Sequence, residues 1–400
     1  MKTLPPHWKT VSLDSIADVR LGRQRSPKNH TGDQMRPYVR AANVGWRGLL
    51  LDDVKSMNFT DAEMRIYRLQ EGDLLLNEAS GSPAEVGKPA LWRGEIPNCA
   101  FQNTLIRVRP NDVMPEYLLH FFLQQSATRK FAAASRGVGI YHLGRETLAR
   151  WQVPVPPPEE QRKVVEVLDR ADELRAKRRE ALAHLDALTQ SIFLEMFGVP
   201  RINAKGWPSF PLSSLVSPGD RINYGVVQPG NNEDGGVPLV RVGDLTDGRV
   251  NRSSLKHISP AIEAQYSRSR LRGNEILVSC VGSIGVVALV EPDDVGSNIA
   301  RAVARVPLKD QKMRPYVAAY LQTRTVQDYF TNELRTVSQP TLNIKQISET
   351  QILLPPPELR HEFAERVKSA ERMKTAHRTS LVELDALFAS LQDRAFRGLL

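Results

Sequence analysis

Positions about 199 residues apart carry like residues in the same order. Trp8, Leu13 and Ile16 recur as Trp207, Leu212 and Leu215, Tyr117-Leu118 as Tyr316-Val317, and Phe131 as Phe330. Leu143, Leu148 and Val153 match Leu342, Ile347 and Ile352. PPPEE from Pro156 matches PPPEL from Pro355, and LDAL from Leu185 matches LDAL from Leu384. Between these anchors the offset drifts to 201, where PYVRAANV from Pro37 meets PLVRVGDL from Pro238. Small loop insertions produce such drift. A chain duplicated in this way folds as two like blocks, and its 400 residues are too many for one ordinary core.

Each copy opens with a mixed block. YVRAANV, DLLLNEA and NTLIRVRP predict strands in the first, and PLVRVGDL, NEILVSCVG and RAVARVP in the second. PEYLLHFFLQQSATRKFAAA and RPYVAAYLQTRTVQDYFTNEL predict helices, each with a proline in its first turn. Each copy then closes with a stiff proline run and a long tail. Apolar residues recur there at alternating steps of three and four: Val164, Val167, Ala171, Leu174, Ala181, Leu185, Leu188 and Ile192, interrupted at Arg178. The second tail shows Phe363, Ala370, Met373, Leu384, Leu387 and Leu391 on the same frame. That is a heptad seam on a helix of about 60 Å, which needs a partner in water. The cheapest partner is the other tail, antiparallel. The expected fold is α+β: two similar mixed α/β globular blocks separated by two long antiparallel coiled-coil helices, a dumbbell-like pseudo-two-fold tandem repeat. The boundaries read as 1–155, 156–198, 199–354 and 355–400.

The net charge is +9, and it lies in the blocks. Residues 1–150 hold 21 Lys and Arg against 15 Asp and Glu, and residues 200–354 hold 18 against 14. A polyanion is the partner to expect. Two cysteines exclude a disulfide framework, and no apolar run reaches the length of a membrane span. With no signal-peptide core at the start, a cytoplasmic protein is expected.

Enzyme chemistry is missing from the motifs. GSPAEVGKP from Gly81 has one residue too many for a phosphate loop, and Pro89 stands where the magnesium-binding hydroxyl belongs. HEFAE from His361 lacks the second histidine of a zinc-protease helix, and it lies on the heptad tail. Pro292-Asp293-Asp294 with Asp310 and Lys312 imitates a nuclease carboxylate set, but the first copy has no counterpart. Cys99 and Cys280 read as small buried residues. No catalytic residue and no metal ligand is assigned.

Two variable blocks, each closed by PPPE and a long helix carrying LDAL, resemble the DNA-specificity subunit of type I restriction–modification enzymes. The resemblance covers essentially the whole chain. WQVPVPPPEEQRKVVEVLDRADEL from Trp151 and SQPTLNIKQISETQILLPPPELR from Ser338 carry it, together with GVGIYHLGRETL from Gly137 and the two helix ends. The second copy reads ELR where the first reads EEQR. The family implies target-recognition domains alternating with conserved helices. It also implies two methylation subunits docked on this chain, joined by motor–nuclease subunits. S-adenosylmethionine, ATP and magnesium then belong to those partners, and this chain needs no cofactor. Two other classes stay open: an autonomous nuclease or methyltransferase with hidden motifs, and a stand-alone DNA-binding regulator.

Read as a reader of double-stranded DNA, each block needs phosphate contacts for register and base-edge contacts for sequence. RLGRQRSPKNH places Arg23, Arg25, Lys28 and Asn29 in one loop, and GDRINYG places Arg221, Asn223 and Tyr224 in its equivalent. Arg bridges guanine O6 and N7, and Asn bridges adenine N6 and N7. The repeat pairs Arg40 with Arg241, and such shared residues suit phosphates or the fold. Arg136 and Arg335 precede matched turns from which Tyr141, His142, Gln339 and Asn343 reach DNA or cap the local structure. Trp46, Trp92 and Trp151 lack counterparts and read as local packing.

Overall fold

The structure is a computed structural model, and it describes residues 4–137, 139–334 and 340–400. The chain divides into two compact units. One is Met1–Arg178 with Ser380–Leu400, and the other is Arg179–Thr379. Each unit is a globular block with parts of both long helices.

In the first unit a four-stranded antiparallel sheet is built from Ala17–Leu21 (β1), Leu74–Asn77 (β2), Pro89–Leu91 (β3) and Leu105–Pro110 (β4), in the order β1-β4-β2-β3. Side chains alternate across a strand, so neighbours enter different cores. Leu74, Leu76, Ile106 and Val108 join the large core that holds Tyr117, Phe122 and the long helices. Leu75 and Leu105 face a second core with Trp92, Cys99 and Phe101. A three-stranded sheet, Ala100–Phe101, Met35–Val39 and Lys55–Asn58, covers that second side.

The second unit repeats the plan. Asn223–Tyr224 (β5), Glu275–Ser279 (β6), Val287–Leu289 (β7) and Val303–Pro307 (β8) pair in the order β5-β8-β6-β7. Ile276, Val278, Ala304 and Val306 face the helix-side core, while Leu277 and Val303 face the other. The helix expected over 115–134 is broken into Pro115–Ala127 and Lys130–Ala134, because Arg129 is left-handed with φ 57°. Its counterpart breaks at Thr323, extended at φ −63° and ψ 148°, between Arg314–Leu321 and Arg324–Asn332.

Both tails are helices: Pro158–Phe197 (α1) and Pro357–Ala395 (α2). Each starts on the last proline of its run, where no amide hydrogen is needed. Two-strand ribbons feed them: Lys9–Ser12 pairs with Gln152–Val155, and Ser209–Pro211 with Gln351–Leu353. In the first unit α1 and α2 pair antiparallel. Arg175 Nε lies 2.6 Å from Asp385, while Val164 shares a pocket with Ala395 and Gly398. In the second, Lys374 lies 3.3 Å from Asp186 and Arg366 3.1 Å from Glu195, again antiparallel.

The seam departs from the apolar count. Val164, Ala171, Ile192, Phe363 and Ala370 are buried, and Val167, Leu185, Leu188, Leu384 and Leu391 are half-buried. Leu174, Met373 and Leu387, however, are 42%, 47% and 51% exposed. Half of the seam sits one residue further on, at Leu168 and Arg175 in α1 and at Lys374 and Phe388 in α2. Two of these four are cationic, which hid the frame. A long basic side chain buries its stem and keeps its charge paired. Arg175 lays its guanidinium 4.1 Å from the Phe388 ring centroid and binds Asp385, and Lys374 is held by Asp186 and Glu371.

Candidate nucleic-acid interface

In the first unit β1 and β2 end, and β3 and β4 begin, at the same end of the sheet. The loop after Leu21, the segment 78–88 and the turn 102–104 therefore emerge together. Tyr141–His142 joins them by pairing with Ala79–Ser80. The turn 40–43 joins through Ala41 N–H, which donates to Thr104 Oγ1 at 3.0 Å. The second unit gathers the equivalent pieces. Val281 bridges to Thr341, Leu342 N–H donates to the Cys280 carbonyl at 2.9 Å, and the turn 300–302 leads into β8. Segments distant in sequence thus make one cluster of loops in each unit.

Within those clusters several candidates already have partners in the fold. The Arg23 guanidinium bonds Asn58 O and Glu63 (2.6 Å) and lies over the Phe59 ring, leaving the side chain 13% exposed. Arg40 binds Asp53 at 2.8 Å and caps the turn that Asn43 ties to Leu50 and Asp53. Arg241 forks onto Asp244 with two 3.0 Å bonds, which hold its pKa above the ordinary arginine value. Asn223 accepts from Arg305 at 3.3 Å, and the Tyr224 hydroxyl donates to Leu342 O at 2.9 Å. Burial pushes the Tyr224 phenol up to about 12. Asn343 caps the helix Ile344–Glu349 in a reciprocal box with Gln346. These residues hold the loops together through partners within the chain.

The other described candidates differ in exposure. Arg25, Lys28, Arg136 and Arg221 are exposed, and Asn29 and Tyr141 are half-buried. Arg25 reaches His30 at 3.1 Å, and exposed His142 lies 3.1 Å from Glu78. Arg335 and Gln339 lie outside the described residues. Trp92 is buried and Trp151 packs 4.7 Å from Phe131, but Trp46 is 45% exposed, with its indole N–H on Glu85. Gln161, in the EEQR run, is buried. It accepts from Met114 N–H and donates to Pro156 O, whereas the equivalent Arg360 donates only to Pro355 O among the described residues.

Sequence reasoning passed over Asn103 and Arg301. Both sit in the turn that starts the central strand, and the drifting offset hid their equivalence. Cys99 and Cys280 are buried, and burial pushes both thiols up to about 12. Among the described residues no three His, Cys, Asp or Glu are placed to hold a metal ion. No helix there is long and apolar enough to cross a membrane.

A family model for the type I restriction modification DNA specificity domain matches residues 5–184 and again 206–385. The chain belongs to this family. Each specificity-domain match takes in one globular block and most of the helix after it, so the repeat of residues is a repeat of that domain. The chain is 30% identical to the type I restriction enzyme EcoBI specificity subunit of Escherichia coli, across 98% of this chain and 86% of that one. It is 21% identical to the EcoKI specificity subunit of Escherichia coli K12, across 99% and 89%. A solved chain from a type I restriction–modification system, determined to explain complex assembly and conformational transition, superposes with a TM-score of 0.61. The two share 20% identity over the full length of both, a likeness of fold. None of these likenesses supports the autonomous-enzyme or stand-alone-regulator readings.

Proposed function

We propose that this chain is the sequence-specific DNA-binding subunit of a type I restriction–modification complex and carries no catalytic centre of its own. Each block reads one half of a bipartite double-stranded target. The paired helices set the spacer and dock two methylation subunits, and motor–nuclease subunits join the assembly. S-adenosylmethionine, ATP and magnesium act in those partners, in the cytoplasm of a prokaryotic cell. The observation that carries this reading is the duplicated specificity domain, with equivalent loop clusters at the same end of equivalent sheets. Arg25, Lys28, Arg136 and Arg221 supply phosphate contacts there, and Asn29, Tyr141 and His142 lie beside them. Arg40 and Arg241 act through the turns they hold.

The test is a methylation assay. The purified chain with S-adenosylmethionine leaves DNA unmodified and, with ATP and magnesium, uncut. Adding the cognate methylation subunit yields adenine methylation of a split site. Methylation or cleavage by the chain alone would overturn the proposal.

A further inference from the structure

The turn that starts the central strand is built alike in the two units. Leu105 N–H donates to Gln102 O and Val303 N–H to Ala300 O, both at 2.9 Å. Asn103 N–H donates to Arg23 O at 3.0 Å, and Arg301 N–H to Val226 O at 2.8 Å. Gln102 N–H donates to Val39 O at 3.0 Å, and Ala300 N–H to Val240 O at 2.9 Å. The facing residues are Gly22 and Gly225. A Cβ on Gly22 would fall 2.2 Å from Gln102 O, and one on Gly225 1.7 Å from Ile299 O, so no other residue lets the two backbones approach this closely. The strand behind each turn carries a buried arginine, Arg107 or Arg305, paired with a carboxylate. The backbone is thus duplicated, and equivalent hydrogen bonds hold it in both units.

The residue at the apex is not duplicated: it is Asn103 in one unit and Arg301 in the other. Arg301 is exposed and Asn103 half-buried. Among the described residues no side-chain hydrogen bond or ion pair engages either. Their neighbours do have such partners: Arg23, Arg40, Asn223, Tyr224, Arg241 and Asn343 hold the loops. Of these only Arg40 and Arg241 are paired by the repeat, and a residue shared by two readers cannot tell one half-site from another. A position presented identically but occupied differently can. The two occupants also belong to the two best base-reading chemistries, a bidentate amide for adenine N6 and N7 and a bidentate guanidinium for guanine O6 and N7. The hydrogen-bonded turn fixes the backbone from which each side chain starts, so the two occupants are presented from equivalent positions.

We propose that Asn103 and Arg301 are equivalent specificity-determining residues, Asn103 reading an adenine in the half-site of the first block and Arg301 a guanine in that of the second. This rests on the chain being a DNA reader as proposed above.

The experiment uses the full chain assembled with its cognate methylation subunits. The wild-type site is first mapped by sequencing methylated DNA. Arg301→Ala and Asn103→Ala complexes are then assayed on that site and on duplexes substituted at each position of each half. Arg301→Ala is expected to lose discrimination at one G·C pair of the half-site read by residues 199–354, by roughly 5- to 150-fold, with the other half unchanged. Asn103→Ala is expected to do the same at one A·T pair of the half-site read by residues 1–155. Competition binding of the same complexes across salt concentrations separates a phosphate role. Uniform weakening on all duplexes, with the salt slope reduced by about one, overturns the proposal for that residue. If an alanine variant does not methylate, Arg301→Gln and Asn103→Ser are ranked by competition binding on the same duplexes, and an unchanged order of preference overturns it. A wild-type complex that methylates no bipartite site counts instead against the parent reading.

Discussion

Arg107 and Arg305 occupy the same place on β4 and β8, and both are buried against carboxylates. Arg305 meets Glu275 at 3.0 Å and also binds Asp220, while Glu275 accepts the amides of Arg272 (2.9 Å) and Gly273 (2.7 Å). Neither Arg305 nor Glu275 touches solvent. A buried charge left without its partner is costly, whereas replacing the whole pair with packed apolar groups is often near neutral. Glu275→Ala is therefore expected to destabilise the block by about 3–5 kcal/mol in denaturant titrations of the full chain. Arg305→Met with Glu275→Leu is expected to lose less than Glu275→Ala alone. An equal or larger loss for the double change would mean that an unpaired buried charge is not the source of the loss in Glu275→Ala. At this scale the sequence showed which loops are basic, but not which cations are free. Arg23 is neutralised by Glu63, forty residues away, and Tyr224 is tied to Leu342, more than a hundred away. Only the fold brings those partners in.

The long helices were legible because proline opens each of them, glycine stands soon after each end, and apolar residues recur between. Their pairing frame was only half legible. Counting apolar residues selects Leu174, Met373 and Leu387, yet the seam runs through Arg175, Lys374 and Phe388, since two aliphatic stems with paired charges fill it. The two frames are separable by mutation. Leu168, buried, and Leu174, 42% exposed, lie on the same helix. Leu168→Ala is expected to cost about 2–5 kcal/mol, the range for a core leucine, and Leu174→Ala about 0.5 kcal/mol or less in the isolated chain. Comparable losses at the two sites, in matched unfolding curves, would restore the apolar frame. The break of the helix over 115–134 at Arg129 was illegible for a different reason. A left-handed arginine has no local signature; beyond the break Phe131 packs against Trp151.

At the scale of the molecule, duplication was the most legible property, and the matches to residues 5–184 and 206–385 follow it. The drift of the offset inside the blocks concealed Asn103 and Arg301 until strand pairing aligned them. If the helices carry the spacing between half-sites, lengthening both must lengthen the spacer. Seven residues keep the heptad register and add about 10 Å, close to three base pairs at roughly 34 Å per turn of ten. Matched seven-residue insertions after Ala176 and Thr375 are expected to shift the preferred spacer by about that amount with both half-sites unchanged. A library of sites differing only in spacer length reads this out, and a folded, active variant that keeps the original spacer would contradict it.

The central claim is that each globular block reads its own half of a bipartite site. Its most direct test exchanges residues 1–155 for the same block of another member of the family, assembles the chimaera with the cognate methylation subunits, and maps every methylated site by sequencing. One half-site is predicted to change to that of the donor, while the other half and the spacer stay as they were. A chimaera that methylates sites altered in both halves, or in neither, would contradict the claim.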